Sequence, residues 1–411
     1  MVTSWTRNRG LPRPEPPYRI VFASPIWYRG GLEVVTCTHL KLLPRDLWQP
    51  ILLVGHVDGM EFPPDCEVHV NETCFEWPPK AESPAKVKAA REASKTVLHK
   101  LQPDVVVGQL CNGLLWAAND LGIPCIAEYW HCGWGRDANE HPSDFIVSVS
   151  NATTEKCTKT FGRQPRVPVH VIYNGLEEGV WKFVSGRPDY DPGRHWGSRE
   201  TIRDNCCKVY SRQQIMGFVG RISSEKDPLS WLDVLAKVQA TLGKVENDEV
   251  APHTAQVPRV VGMVCGAVWD QETYRQVVDR CRLRGMDWSQ IRHVLCAYDR
   301  MPGYYSAMDV LVHCRQDEPF GMIVPESLSC GTPVVAFDAA GIHEIGEVLG
   351  YPEALHLVRP GDLDAMTREV LAVLESGERC DNLRPAVLEH FGAQRMSDQF
   401  QGLLLRQLHG G

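Results

Sequence analysis

A chain of 411 residues with 43% hydrophobic content can bury a large core, and at about 150 residues per domain it reads as two domains. Its formal net charge of -8 provides no global basic field to gather nucleic acid by counterion release, so nucleic acid is not an expected partner. The 15 cysteines are odd in number, form no CxxC pair and accompany no histidine cluster at zinc spacing, which predicts reduced thiols, no metal and a cytoplasmic protein.

Residues 1–17 lack the apolar core of a signal peptide and read as a flexible lead, and nowhere do about 18 apolar residues run together. From Tyr18 to 182 short apolar runs alternate with longer mixed segments: YRIVFAS (18–24), ILLVG (51–55), DVVVG (104–108), IPCIAEY (123–129), FIVSVS (145–150) and VHVIYNG (169–175). Continuous β-branched runs separated by helix-length stretches predict parallel strands buried on both faces. Gly30 and Gly31 follow the first strand, where the missing Cβ lets backbone approach a ligand closely. Residues 86–101 form a basic amphipathic segment with Val87, Ala90, Ser94, Val97 and Leu101 at helical spacing; its plain reading is a helix packed on the sheet, with a weak peripheral membrane contact left open.

Residues 183–210 are rich in Gly, Pro, Arg and Asp and read as a linker or insertion. The DxD-like triplet Asp189-Tyr190-Asp191 lies there, away from any strand end, and is not taken as a metal site. A second series fills 211–390, with IMGFVG (215–220), RVVGMVCG (259–266), RHVLCAY (292–298), DVLVHC (309–314), PVVAFD (333–338) and ALHLV (354–358). Residues 243–258 read as a surface loop. Residues 391–411 carry a C-terminal helix with Phe391, Met396, Phe400, Leu403, Leu404 and Leu408 on one face, able to pack on either domain.

The stretch EPFGMIVPE sets Glu318 and Glu326 with seven residues between them, after a strand and across a helix start that tolerates Pro325 in its first turn. Ligands of open parallel sheets bind beyond the carboxyl ends of the strands, where helix N-termini offer free N–H groups to anions. Two carboxylates flanking such a cradle suit the hydroxyls of a sugar and of a ribose. The same acids also fit a pair of solvated residues at a helix start.

This stretch, with SLSCGTPVVAFDAAGIHEI behind it, resembles the E-x7-E signature of the retaining glycosyltransferases of family 4, which have the GT-B fold. YRGGLEVVTCTHLKLL (28–43), VIYNGLE (171–177) and GFVGRISSEKDP (217–228) resemble further parts of that family in order, from about Tyr18 to Phe391. The resemblance implies an α/β protein of two Rossmann-like domains whose parallel sheets face each other across a cleft that holds the active site. It implies that Arg221 and Lys226 neutralise the donor diphosphate, that Glu318 holds sugar hydroxyls and Glu326 the ribose, and that the amides of Phe320, Gly321, Met322 and Ile323 complete the cradle. It places His131 and the Gly30-Gly31 loop near the donor as well. The implied reaction moves a hexose from a nucleotide sugar, UDP-glucose first and GDP-mannose next, to an acceptor with retention and without a cofactor. Ile342-His343 and Trp269 depart from the common pattern, near the donor phosphate and in the expected base region respectively.

A nucleotide-sugar epimerase and a non-catalytic nucleotide-sugar binder remain the alternatives. The acceptor, whether small molecule, glycan, lipid or peptide, and the oligomeric state are not legible. Residues 71–79 and 132–141, with their aromatics and mixed charge, fit several acceptor classes.

Overall fold

Valines that fill both faces of a strand favour the interior of a parallel sheet, and this chain builds two such sheets from them. The computed structural model describes residues 15–28, 30–76, 84–131, 142–162, 164–181, 199, 202–209, 212–246, 256–288 and 291–410. One compact unit is formed by the chain up to Gly175 together with Phe391–Gly411, and the other by Leu176–His390.

In the first unit the order is β1 (Tyr18–Tyr28), α1 (Gly31–Leu42), β2 (Trp48–Asp58), β3 (Glu67–Val70), α2 (Pro84–Leu101), β4 (Val105–Gly108), α3 (Asn112–Asp120), β5 (Cys125–Trp130), β6 (Phe145–Ser148), α4 (Asn151–Phe161) and β7 (Val169–Val171). The sheet runs β3-β2-β1-β4-β5-β6-β7, and its ladders are parallel. Strand order therefore reverses between β1 and β4. The apolar side of α2 enters the core through Leu98 and Leu101, while Arg91 and Lys95 pair with Asp120 on its flank.

The second unit continues with β8 (Gln214–Val219), α5 (Pro228–Leu242), β9 (Lys244–Glu246), β10 (Gln256–Pro258), β11 (Val260–Cys265), α6 (Gln271–Leu283), β12 (Arg292–Val294), α7 (Met301–Ala307), β13 (Val310–His313), α8 (Ile323–Ser329), β14 (Val334–Phe337), α9 (Ala340–Leu349), β15 (Leu355–Val358), α10 (Leu363–Ser376) and α11 (Arg384–Phe391). Its sheet runs β12-β11-β8-β13-β14-β15 with parallel ladders, so order reverses between β8 and β13. Helix α5 starts where capping chemistry predicts. Asp227 accepts from the Ser230 amide at 3.1 Å, Pro228 occupies the first turn, and Gly243 with φ +69° ends the helix. Trp231 on α5 is buried and donates its indole N–H to the Gly217 carbonyl at 3.1 Å, tying that helix to β8.

Three stretches differ in detail from the sequence reading. The ends of 243–258 pair as the antiparallel strands β9 and β10, because Lys244-Val245-Glu246 meets Gln256-Val257-Pro258 in register. The end of the segment read as a linker is fastened down: Ile202–Cys207 forms a π-helical turn, Ile202, Cys207 and Val209 are buried, and Arg199 and Arg203 both pair with Asp309 at the start of β13. The C-terminal helix begins at Ala393 rather than Phe391, as α12 (Ala393–His409), with Gly392 separating it from α11. All six apolar residues of that segment named above are buried; Phe400 lies among the rings of Phe22, His39 and Tyr129, and the Trp48 indole donates to Gln401 at 3.0 Å. No helix among the described residues is long and apolar enough to cross a membrane.

Candidate functional site

Where strand order reverses, the loops leaving two neighbouring strands turn away from each other and open a crevice at the carboxyl edge. In the second unit those loops follow β8 and β13, and they carry Lys226 and Glu318. Glycines let the chain come this close. A Cβ on Gly266 would fall 2.0 Å from the Gly220 carbonyl oxygen, so only glycine allows the turns after β11 and β8 to touch. Gly321, at φ +94°, has no room for a side chain beside Ile342, and a Cβ on Gly341 would lie 2.5 Å from the Phe320 Cα. The Gly341 amide donates to the Glu318 carbonyl at 3.0 Å, seating the Glu318 loop on the start of α9.

Lys226 Nζ donates to Glu318 Oε2 at 2.6 Å, and His313 Nε2 and Arg315 Nη1 stand 3.4 and 3.6 Å from the same oxygen. Glu318 is buried. Burial alone would raise its pKa, but Lys226, His313 and Arg315 outweigh that penalty and hold the carboxyl well below its ordinary 4.5. Burial lowers His313 below its usual value despite the carboxylate beside it. Arg315 also donates to Asp317 at 2.8 Å. The loop thus presents an ionised acceptor amid cationic donors.

Glu326 lies midway along α8 and is equally buried. Its Oε2 accepts from the Tyr305 hydroxyl at 2.7 Å, and burial, only partly offset by Tyr305 and Tyr298, pushes its pKa up to about 7. Tyr298 and Tyr305 both pack edge-on against the buried Trp181. Of the amides expected to form a cradle, those of Phe320, Gly321 and Met322 precede α8 and that of Ile323 opens it. The next amides turn inward, with Val324 donating to Gly321 and Glu326 to Met322.

Arg221 follows Gly220 at the end of β8. It donates to Glu225 at 2.6 Å, and its guanidinium carbon lies 4.6 Å from the centre of the Trp269 ring. His343, a departure from the family pattern, pairs with Asp338 at 2.7 Å, which raises its pKa.

Gly30, Gly31 and His131 lie in the first unit. A Cβ on Gly30 would collide with the Glu33 carboxylate and the Tyr28 ring, whereas nothing lies within 4 Å of one on Gly31, so the two glycines differ in what they permit. His131 directly follows β5, stacked on Tyr129 with ring centres 4.3 Å apart, and Tyr129 also meets His39 at 3.3 Å. Burial holds both histidines neutral, pulling His39 down to about 3 and His131 well below its ordinary 6.5.

The structure therefore groups Lys226 with Glu318, sets Glu326 eight positions further on, and places Arg221 on the same carboxyl edge. Sequence reasoning missed His313, Arg315 and Tyr305. The first two carried a weak signal as basic side chains five and three positions before Glu318, while Tyr305, 21 positions before Glu326, carried none. Asp189, Asp191 and residues 132–141 lie outside the described residues. Among the described residues no group of three or more His, Cys, Asp or Glu is placed to hold a metal ion.

The model of the family described as Glycosyltransferase Family 4 matches residues 29–179, and that described as Glycosyl transferases group 1 matches 207–389. The α-maltose-1-phosphate synthase of Mycolicibacterium smegmatis is 25% identical over 230 residues, 56% of this chain and 52% of its own. The chain spans about half the length of this curated relative. Among solved structures, a glycosyltransferase from Rickettsia africae superposes with a TM-score of 0.73 at 14% identity, covering 97% of this chain and 100% of its own. The Anabaena HepE protein in complex with UDP and glucose does so with a TM-score of 0.69 at 18% identity, covering 94% and 99%. At these identities the structural likeness concerns the fold.

Proposed function

This chain belongs to the glycosyltransferases of GT-B fold, with a family 4 domain ahead of a group 1 domain, and from that premise we propose that it transfers a hexose from a nucleotide-diphosphate sugar to an acceptor with retention of configuration. The observation that carries the reading is the Lys226–Glu318 pair where strand order reverses between the parallel neighbours β8 and β13. Glu318, held ionised, accepts hydrogen bonds from hydroxyls of the donor sugar. Lys226 and Arg221 face the diphosphate, whose negative charge grows as the glycosidic bond breaks, so fixed cations favour the transition state over the bound donor. The amides of Phe320, Gly321, Met322 and Ile323 add oriented dipoles to the same charge. Glu326 takes the ribose hydroxyls. His131 and the Gly30-Gly31 turn carry roles toward the donor that rest on the family resemblance.

In this mechanism no carboxylate attacks the sugar. The departing phosphate oxygen takes the acceptor proton on the same face, and positioning supplies most of the rate. UDP-glucose is the first donor to try, supported by the complex of the Anabaena protein with UDP and glucose, and GDP-mannose the second.

The test is thermal stability of the folded protein against UDP-glucose, UDP-galactose, UDP-N-acetylglucosamine, GDP-mannose and the free diphosphates, with Glu326→Ala alongside. A donor at about 100 times its dissociation constant adds roughly 2.7 kcal/mol. A shift selective for one donor and lost in the variant supports the reading; silence toward every nucleotide overturns it. Release of free diphosphate only when acceptor is supplied then separates a transferase from an epimerase, which leaves none after complete turnover.

A further inference from the structure

Trp269 is a large apolar side chain left 53% exposed at the carboxyl edge of the second sheet, and its position is tightly specified. The turns after β8 and β11 continue the ladder of their strands. Gly220 donates to Cys265 at 3.0 Å and Ile222 to Ala267 at 2.8 Å, and the amides of Trp269 and Asp270 both return to the Ile222 carbonyl at 3.2 Å. Asp270 then caps α6 through the Glu272 amide at 3.0 Å. The backbone of Trp269 is thus pinned on both sides, and its indole is set over the guanidinium of Arg221 at 4.6 Å, while Glu225 takes an N–H of that guanidinium at 2.6 Å.

A guanidinium whose flat face is covered keeps its in-plane N–H groups for acceptors, and a stacked arginine loses less freedom when it binds one. We propose that Trp269 is a positioning residue: it holds Arg221, from the face, in the orientation that meets a nucleoside diphosphate, and contributes to binding through that arginine rather than by touching the base. This rests on the donor reading above. The competing role for an exposed indole at this edge is direct stacking on the nucleobase, and the two roles make different demands on the ligand. Acting through Arg221, Trp269 matters only when the ligand carries phosphates; acting on the base, it matters equally for the nucleoside.

The experiment is calorimetric titration of the wild type, Trp269→Ala, Trp269→Leu, Trp269→Phe, Arg221→Ala and the Arg221→Ala/Trp269→Ala double variant with UDP and uridine, and with GDP and guanosine. Trp269→Ala and Trp269→Leu are expected to weaken the bound diphosphate about fivefold, with the nucleoside unchanged. Trp269→Phe, which restores a π face, recovers most of the loss, and the double variant binds no more weakly than Arg221→Ala alone. Leucine keeps the apolar bulk, so a loss common to alanine and leucine but not phenylalanine is not a packing effect. Equal losses for diphosphate and nucleoside, additive losses in the double variant, or unchanged binding in Trp269→Ala would each overturn the assignment while leaving the donor site standing. A folded wild type that binds neither diphosphate overturns the donor site itself.

Discussion

Glu318 and Glu326 are both buried, stand eight positions apart in one stretch of chain, and are held in opposite states. Around Glu318 the fold collects Lys226 from one loop, His313 from the end of β13 and Arg315 from its own loop, so the charged form prevails against burial. Around Glu326 it supplies the phenols of Tyr305 and Tyr298, whose hydrogen bonds are too weak to cancel desolvation, and the carboxyl titrates near 7. Depth below the surface therefore does not by itself set the state of an acid; the charges brought to it decide whether the burial penalty prevails.

The largest effect is expected at the charged member. Glu318→Gln leaves Lys226 and Arg315 facing each other without their shared counter-charge, which should cost about 3 kcal/mol at pH 7 and lower donor turnover about a hundredfold. Because the folded pKa of Glu318 lies below its unfolded value of 4.5, its contribution is present above that pH and is lost as pH falls through the folded value. Urea unfolding of wild type and variant should thus converge as pH drops below 4.5, and a gap that stays constant would break the account of Glu318.

The second effect has the opposite sign. A carboxyl raised from 4.5 to about 7 binds its proton more tightly in the folded state, so its stabilising contribution is complete below pH 4.5 and is lost as pH rises through 7. Between pH 5 and pH 8 the wild type should lose about 2.5 kcal/mol from this group, a loss absent in Glu326→Gln. Parallel pH profiles for the two proteins would mean that Glu326 is ionised throughout. The smallest change is at its partner. Tyr305→Phe removes one hydrogen bond to the carboxylate, should cost about 1 kcal/mol, and moves the titration of Glu326 further upward, visible as a shift in the midpoint of the same profile.

Much of the architecture was legible because parallel strands buried on both faces leave continuous apolar runs such as VVVG. The short edge strand β3 escaped, since EVHV alternates polar and apolar and is only partly covered, as did the pairing of β9 with β10. In the candidate site, the spacing of Glu318 and Glu326 and the Arg221–Lys226 loop stood out as motifs, but their partners did not. Tyr305 meets Glu326 because α7 packs beside α8, and Trp269 meets Arg221 because β11 is the neighbour of β8.

By itself the sequence determined most of the buried parallel strands and which stretches carry the paired carboxylates and cations, because those properties depend on side-chain periodicity and local motif spacing. Only the tertiary structure decided that Lys226 donates to Glu318, 92 positions away, and that Glu318 is charged while Glu326 titrates near neutrality. Strand order brings distant loops together, and a pKa is set by whatever arrives within a few ångströms, which no local stretch of chain encodes.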